Sequence, residues 1–253
     1  KFEPATATIK PEVVRDILKD LYQELVPRAI RHDLGEYLTP DWLAEFTIEE
    51  TGYEGEGKVL DPACGSGTFL VETIDTIKKQ SDNEGDELLD EILEKVIGFD
   101  LNPISVIASR TNYLMALGEL AYHSSSVRIP VYQCDSMLTP AKYVDVRSIG
   151  DGSDGEGYKV STQEGEFNIP ALKDPNDIEQ VLSMVSEYVD MGASADEFLS
   201  ALEERMEIED SWNPMLNELY TEIHQLDKEN RDGVWTELLR NSLAPEFIDE
   251  VDY

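Results

Sequence analysis

The residues with the most chemical content lie at 59–71 and read V-L-D-P-A-C-G-S-G-T-F-L-V. A short apolar run of strand character breaks at Asp61 into a turn of small residues, Ala63, Cys64, Gly65, Ser66 and Gly67. From Thr68 onward Phe69, Leu70, Ile74 and Ile77 recur at helical spacing, so strand, turn and helix follow one another directly. Glycines in such a turn permit positive φ and let a ligand come close to the backbone amides. Asp61 adds a carboxylate at the end of the strand. It is poorly suited to cradling a phosphate and well suited to holding a cationic ligand.

Two more strands end in acids. Val96–Asp100 reads as a second buried strand, and residues 129–134 as a third, followed by Asp135 and Ser136. An acid at the tip of the second strand is placed to accept hydrogen bonds from two ribose hydroxyls, the position that selects an adenosine-type ligand. The competing reading is that Asp100 only caps the next helix, for which Asn102 supplies an N-cap and Pro103 the first residue. Strand tips of an open α/β sheet face one crevice, so Asp61, Asp100 and Asp135 are expected to converge there. His32, His123 and His224 are scattered, and no Cys or His pair has metal-ligand spacing, so no metal site is expected.

The elements that must position these residues follow from periodicity. Residues 10–34 carry Val13, Val14, Ile17, Leu18, Leu21, Leu25 and Ile30 at helical spacing, which makes a helical lead-in over 1–34. L-G-E-Y-L-T-P at 34–40 then leads into an amphipathic helix with Leu43, Phe46 and Ile48 on one side, Thr39 as N-cap and Pro40 as first residue. Residues 80–90 read as an acidic solvated loop, with a short helix over 88–93. The helix after Asn102 presents Ile104, Ile107, Leu114 and Leu117 as its apolar side.

Residues 149–172 read as an acidic, irregular hairpin or loop, with strands near Tyr158 and Phe167. The stretch 173–245 reads as a helical insertion. In it Ile178, Val181, Leu182, Val185 and Tyr188 form one stripe, Ser194 and Glu197 a capping box, and Asn213 with Pro214 a third helix start. Trp212 and Trp235 are expected to anchor that bundle. Residues 35–148 then form the α/β core, and 246–253 begin a fourth core strand.

The chain has 253 residues, enough for a substantial core, and its charge is extreme: 54 Asp plus Glu against 20 Lys plus Arg, a formal net charge of −34. Such a surface repels nucleic acid at ordinary salt, because DNA affinity comes largely from cations that displace counterions. Either the chain does not itself bind DNA, or it works in a salty cytoplasm where acidic surfaces keep proteins hydrated. Acid spread along the whole chain favours salt adaptation. Cys64 and Cys134 are the only cysteines, and Cys64 lies inside the glycine turn, so a reduced, cytoplasmic protein is expected. No apolar run approaches membrane-spanning length. The chain begins at Lys1 rather than Met and reads as a piece of a longer protein.

D-P-A-C-G-S-G at 61–67 resembles motif I of S-adenosylmethionine-dependent methyltransferases, in the wording of the adenine-specific DNA enzymes. The 34–40 stretch resembles their motif X, and the end of the chain resembles the lead-in to the fourth strand of Eco57I-like and type I modification enzymes. The resemblance implies a Rossmann-like methyltransferase fold with a partial, mostly parallel sheet, and S-adenosylmethionine as cofactor. It implies that Tyr37 and Thr39 line the methionine pocket, that Asp135 accepts from the adenine amine and that the Ser136 amide meets a ring nitrogen. The implied cofactor set is completed by Asp61, Ala63, Gly65, Gly67, Thr68, Phe69, Asp100 and Leu101.

In that family an Asn-Pro-Pro-aromatic motif follows the fourth strand and holds the flipped target adenine. Asn102-Pro103 and Asn213-Pro214 lack the second proline, so no catalytic residue is assigned and the chain by itself is expected not to methylate. The parent would methylate the exocyclic amine of adenine in a restriction-modification or phage-defence system. It would bind DNA through regions mostly outside this chain, with restriction or specificity subunits or domains as partners. A non-catalytic cofactor-binding or scaffolding module, and a methyltransferase acting on RNA or protein, are the alternatives. A nicotinamide oxidoreductase fits less well, since G-x-G-x-x-G spacing is absent.

Overall fold

The structure, a computed structural model, describes residues 39–124, 127–137, 141–144, 156–162, 165–172, 175–206, 212–228, 235–246, 248 and 251–253. Contacts divide the chain into two compact units, Lys1–Ser136 with Glu250–Tyr253 and Met137–Asp249, so the second is inserted into the sequence of the first. The expected lead-in helix and Tyr37 lie outside the described residues.

The first unit opens with helix α1, Asp41–Thr51. Pro40, not Thr39, flanks its start, at φ −64° and ψ 142°, and no side chain caps it. That extended ψ keeps Pro40 out of the helix, while its carbonyl accepts from the Leu43 and Ala44 amides at 3.0 and 3.2 Å. Strand β1, Val59–Asp61, leads through the glycine turn into α2, Thr68–Gln80. α1 lies against α2. Its fully buried residue is Ala44, and Ile48 packs against the core as expected, whereas Leu43 and Phe46, expected on the same side, are 37% and 53% exposed. A small side chain lets two helices approach closely, and that choice turns the larger ones outward.

Helix α3, Gly85–Lys95, occupies much of the expected acidic loop. Asp86 and Glu87 in its first turn suit the positive end of the helix dipole, and Leu88, Leu89 and Ile92 bury one side. Strand β2 is Val96–Asp100, helix α4 is Pro103–Leu117, and strand β3 is Val131–Gln133 after a 3-10 turn at Gly118–Tyr122. The three strands form a parallel sheet in the order β1-β2-β3, with Asp61 opposite Gly98 and Asp100 opposite Gln133. Parallel strands joined by helices make the α/β, Rossmann-like arrangement expected from the sequence.

A further row lies beside β1, on the edge away from β2. The Tyr253 N–H donates to Lys58 O at 3.2 Å and the Leu60 N–H to Tyr253 O at 3.1 Å, the bonding of a parallel pair with Tyr253 opposite Val59. Asp252 Oδ2 accepts from the Lys58 N–H at 2.8 Å, and the Tyr253 ring meets Tyr53 edge-on at 5.1 Å.

Of the expected apolar side of α4 only Leu117 is buried. Ile104, Ile107 and Leu114 are exposed, while Ser105, Val106, Ser109, Asn112, Tyr113 and Leu117 are buried. The physical reason is the neighbour. Part of this helix backs the glycine turn, where small and hydrogen-bonding side chains fit and large apolar ones do not.

The second unit contains an antiparallel sheet, β4 (Ala141–Val144), β5 (Glu156–Thr162) and β6 (Gly165–Pro170), in that order. β5 and β6 are the expected hairpin, longer and more regular than the composition indicated, and β4 was not foreseen. Helices α5 (Pro175–Asp190), α6 (Ala195–Arg205), α7 (Asn213–Lys228) and α8 (Trp235–Leu243) complete it. The Ser194–Glu197 capping box forms as expected. Phe198 stacks on Tyr220 at 4.6 Å, and Trp212 and Trp235 pack against the same core.

Candidate functional site

The site is built from the C-terminal ends of β1, β2 and β3. At the first tip, Asp61 Oδ1 accepts from the Ala63 N–H at 3.1 Å, which folds the chain into the glycine turn. Gly65 and Gly67 have φ of +55° and +83°, the left-handed region that glycine alone enters cheaply. Gly67 N–H closes the turn on Cys64 O at 2.7 Å, and Cys64 N–H crosses to Phe99 O on β2 at 2.8 Å.

Asp100 holds the second tip. Its Oδ2 accepts from the Gly65 N–H and its Oδ1 from the Asn102 N–H, both at 2.8 Å. The cap of α4 is a separate group, since Asn102 Oδ1 accepts from the Ile104 N–H at 2.9 Å. Asp100 therefore joins the glycine turn to the start of α4. A carboxylate offers about four lone-pair directions, and two amides leave room for further donors. At the third tip, Cys134 N–H donates to Asp100 O at 3.2 Å, and Asp135 and Ser136 follow directly.

Asp61, Asp100 and Asp135 are all partly exposed, and Leu101 and Ser136 are exposed beside them. Thr68 is buried at the start of α2 and Phe69 half-buried, while Ala63 is exposed. Thr39, half-buried, precedes α1. The Asp61 carboxyl lies above its ordinary pKa because burial disfavours its charge; the Ala63 N–H opposes that shift and the charge of Asp100 adds to it. Burial likewise pushes the Cys64 and Cys134 thiols up to about 12, which leaves both protonated and unreactive near neutrality.

The two glycines differ in what surrounds them. A Cβ added to Gly65 would meet nothing within 4 Å, so the space over it is open, whereas one added to Gly67 would lie 2.5 Å from Ser109 Oγ. The start of α2 has no side-chain cap. A helix start without a side-chain cap keeps first-turn N–H groups available to another acceptor, and such an end attracts anionic groups.

Sequence reasoning missed the residues that back this turn. Ser109 and Asn112 lie under it on α4, with Ser105 buried on the same face, and Asn112 Nδ2 donates to Ser66 O at 2.8 Å. Their i, i+4, i+7 spacing was a visible signal, a polar stripe opposite the apolar one.

Parallel strands, a glycine turn between β1 and its helix, and acids at successive strand tips define a Rossmann-like methyltransferase fold. Residues 13–144 match the family N-6 DNA Methylase, and the chain belongs to that family. Adenine-specific methyltransferase PglX of Streptomyces coelicolor is 32% identical over 112 residues, covering 39% of this chain and 9% of that protein. A type I restriction enzyme MjaVII methylase subunit of Methanocaldococcus jannaschii is 29% identical over 133 residues, 51% of this chain and 20% of that one. The type II restriction enzyme and methyltransferase RM.BcgI of Heyndrickxia coagulans is 30% identical over 109 residues, 42% of this chain and 17% of that one. The matched stretch spans a fifth or less of each relative. No helix among the described residues is long and apolar enough to cross a membrane.

Proposed function

We propose that this chain is the S-adenosylmethionine-binding part of an adenine-specific DNA methyltransferase of a restriction-modification or related defence system. The observation that carries the reading is the joining of the glycine turn to the second strand tip through Asp100, with Asp61 and Asp135 at the flanking tips. The donor set fits the cofactor: open space over Gly65, uncapped amides at the start of α2, and acids for a cationic, hydroxyl-bearing ligand.

S-adenosylmethionine supplies an electrophilic methyl group carried on a sulfonium. Asp100 accepts from the ribose hydroxyls, Asp135 from the adenine amine, and Asp61 offsets positive charge. Leu101, Phe69 and Ser136 enclose the adenosyl part, and Thr39 with Tyr37 lines the methionine end. Transfer to a neutral amine rests on alignment more than on a strong base. The restriction-enzyme relatives support restriction or specificity subunits as partners of the parent enzyme, and the charge of −34 supports DNA bound mainly outside this chain.

Titration calorimetry tests the reading. S-adenosylmethionine and S-adenosylhomocysteine are expected to bind and NAD not to; binding of NAD alone would remove the methyltransferase reading in favour of an oxidoreductase. The raised Asp61 carboxyl adds a pH signature. A cationic ligand favours its charged form, so affinity for S-adenosylmethionine falls as pH is lowered from about 7 to about 4. Asp61→Asn is expected to flatten that slope, and an unchanged slope would remove Asp61 from the cofactor's charged end. In the free protein the same shift has the opposite sign: the folded state holds the proton more tightly, so this carboxyl's cost to folding disappears as pH falls.

Salt adaptation is proposed from the charge of −34. Tm is expected to rise steeply from low salt to molar KCl as counterions screen the repulsion, and a flat response would contradict it.

A further inference from the structure

We propose that Asn112 is a positioning residue for the cofactor turn, setting the plane of the Ser66–Gly67 peptide from beneath; as a role in cofactor binding, this rests on the reading of the function above. The argument starts from α4. Ser105, Ser109 and Asn112 fall on one face at i, i+4 and i+7, and their exposures are 4%, 0% and 5%. That face meets the glycine turn: Ser109 Oγ lies 3.6 Å from Cys64 Sγ, and Asn112 Nδ2 donates to Ser66 O at 2.8 Å.

The two ends of one peptide unit are thereby held by different parts of the chain. The Gly67 N–H is satisfied within the turn, on Cys64 O at 2.7 Å, while the Ser66 carbonyl is satisfied by a helix 46 residues away in sequence. Glycine at 67, with φ of +83°, leaves this peptide free to rotate if either end is released. Rotation would redirect the Gly67 N–H and the entry into α2, whose first-turn amides are the anion-facing part of the site.

The other half of the amide shows that packing is not why asparagine stands here. Asn112 Oδ1 is buried and has no hydrogen-bond partner among the described residues. An orphaned buried acceptor costs stability, and a leucine of similar shape would carry no such atom. Which end of the amide faces Ser66 is set by chemistry, because a carbonyl needs a donor. The bond to Ser66 is what the asparagine gives in return for its orphaned oxygen.

The test compares Asn112→Leu with Tyr113→Phe. The Tyr113 hydroxyl bonds to Ile92 O in α3 and Val96 O at the start of β2, away from the strand tip, so its loss loosens the same core without touching the turn. Amide exchange of Gly67, followed by NMR in the ligand-free protein, is expected to accelerate by about tenfold or more in Asn112→Leu and to stay near wild type in Tyr113→Phe. The Kd for S-adenosylhomocysteine is expected to rise by about tenfold in the first variant only.

Equal acceleration in both variants, or none in Asn112→Leu, would overturn the proposal. Should the leucine variant fail to fold, Asn112→Ala, which adds no bulk, reads the same exchange. A wild-type protein that binds neither S-adenosylmethionine nor S-adenosylhomocysteine would defeat the functional reading instead. The exchange measurement, which needs no ligand, would still decide the role of Asn112.

Discussion

Gly67→Ala is expected to lower the unfolding free energy by about 2–5 kcal/mol, the sum of left-handed backbone strain and overpacking. Strain comes from φ of +83°, which costs an L-residue about 1–2 kcal/mol. Overpacking comes from the new methyl, which would lie 2.5 Å from Ser109 Oγ and 3.3 Å from Ser109 Cα. The second of these is helix backbone, so α4 must move away from the turn, taking the Asn112 bond with it.

Gly65→Ala provides the contrast within the same turn. Its φ of +55° brings similar strain, but its methyl meets nothing within 4 Å, so about 1–2 kcal/mol is the whole stability cost. The methyl projects into open space over the turn. The Kd for S-adenosylmethionine is therefore expected to rise by about tenfold or more, or roughly 1.4 kcal/mol. Urea melts and calorimetry of both variants check this pair. Equal stability losses would show that α4 does not press on the turn, and an unchanged Kd in Gly65→Ala would move the ligand elsewhere.

Asp100→Asn is expected to give the largest loss of cofactor affinity, about a hundredfold or roughly 2.7 kcal/mol. Both carboxylate oxygens accept from backbone amides at 2.8 Å, one from Gly65 and one from Asn102. An asparagine has one acceptor, so its NH2 must face one of those N–H groups. Hydrogen bonds to a charged group contribute about 1.5–3 kcal/mol each, and the expected loss of stability is about 2–4 kcal/mol.

The same variant separates the two readings of this acid. A group that only organises the helix start would lower Tm and leave the Kd of the folded protein unchanged. A group that also accepts from a ribose raises Kd beyond what the lost stability explains. Asp100→Glu keeps the charge but displaces it, so it should restore little of either.

Much of the site was legible because its signals are local. D-P-A-C-G-S-G specifies a turn by its glycines, and Val96–Asp100 declares a buried strand by an apolar run that stops at an acid. Asn102 with Pro103 marks a helix start wherever it occurs, and the Ser194–Glu197 box does the same in the second unit. Each of these depends on contacts within a few residues. The stretches misread were those whose fate depends on a distant neighbour, such as α1, where Ala44 is buried and Phe46 exposed, and β4, which exists by pairing with β5.

The sequence alone thus determined the order of strand, glycine turn and helix, the three acids at successive strand ends, and the family to which they point. Tertiary structure decided which amides Asp100 would bind, that 251–253 would pair beside β1, and that α4 would bury Ser105, Ser109 and Asn112 while exposing Ile104, Ile107 and Leu114. Periodicity shows that a helix has two faces, but burial goes to whichever face fits the surface against it. Here that surface is a turn of glycines with a carbonyl needing a donor, and an amide side chain satisfies it where an apolar one cannot.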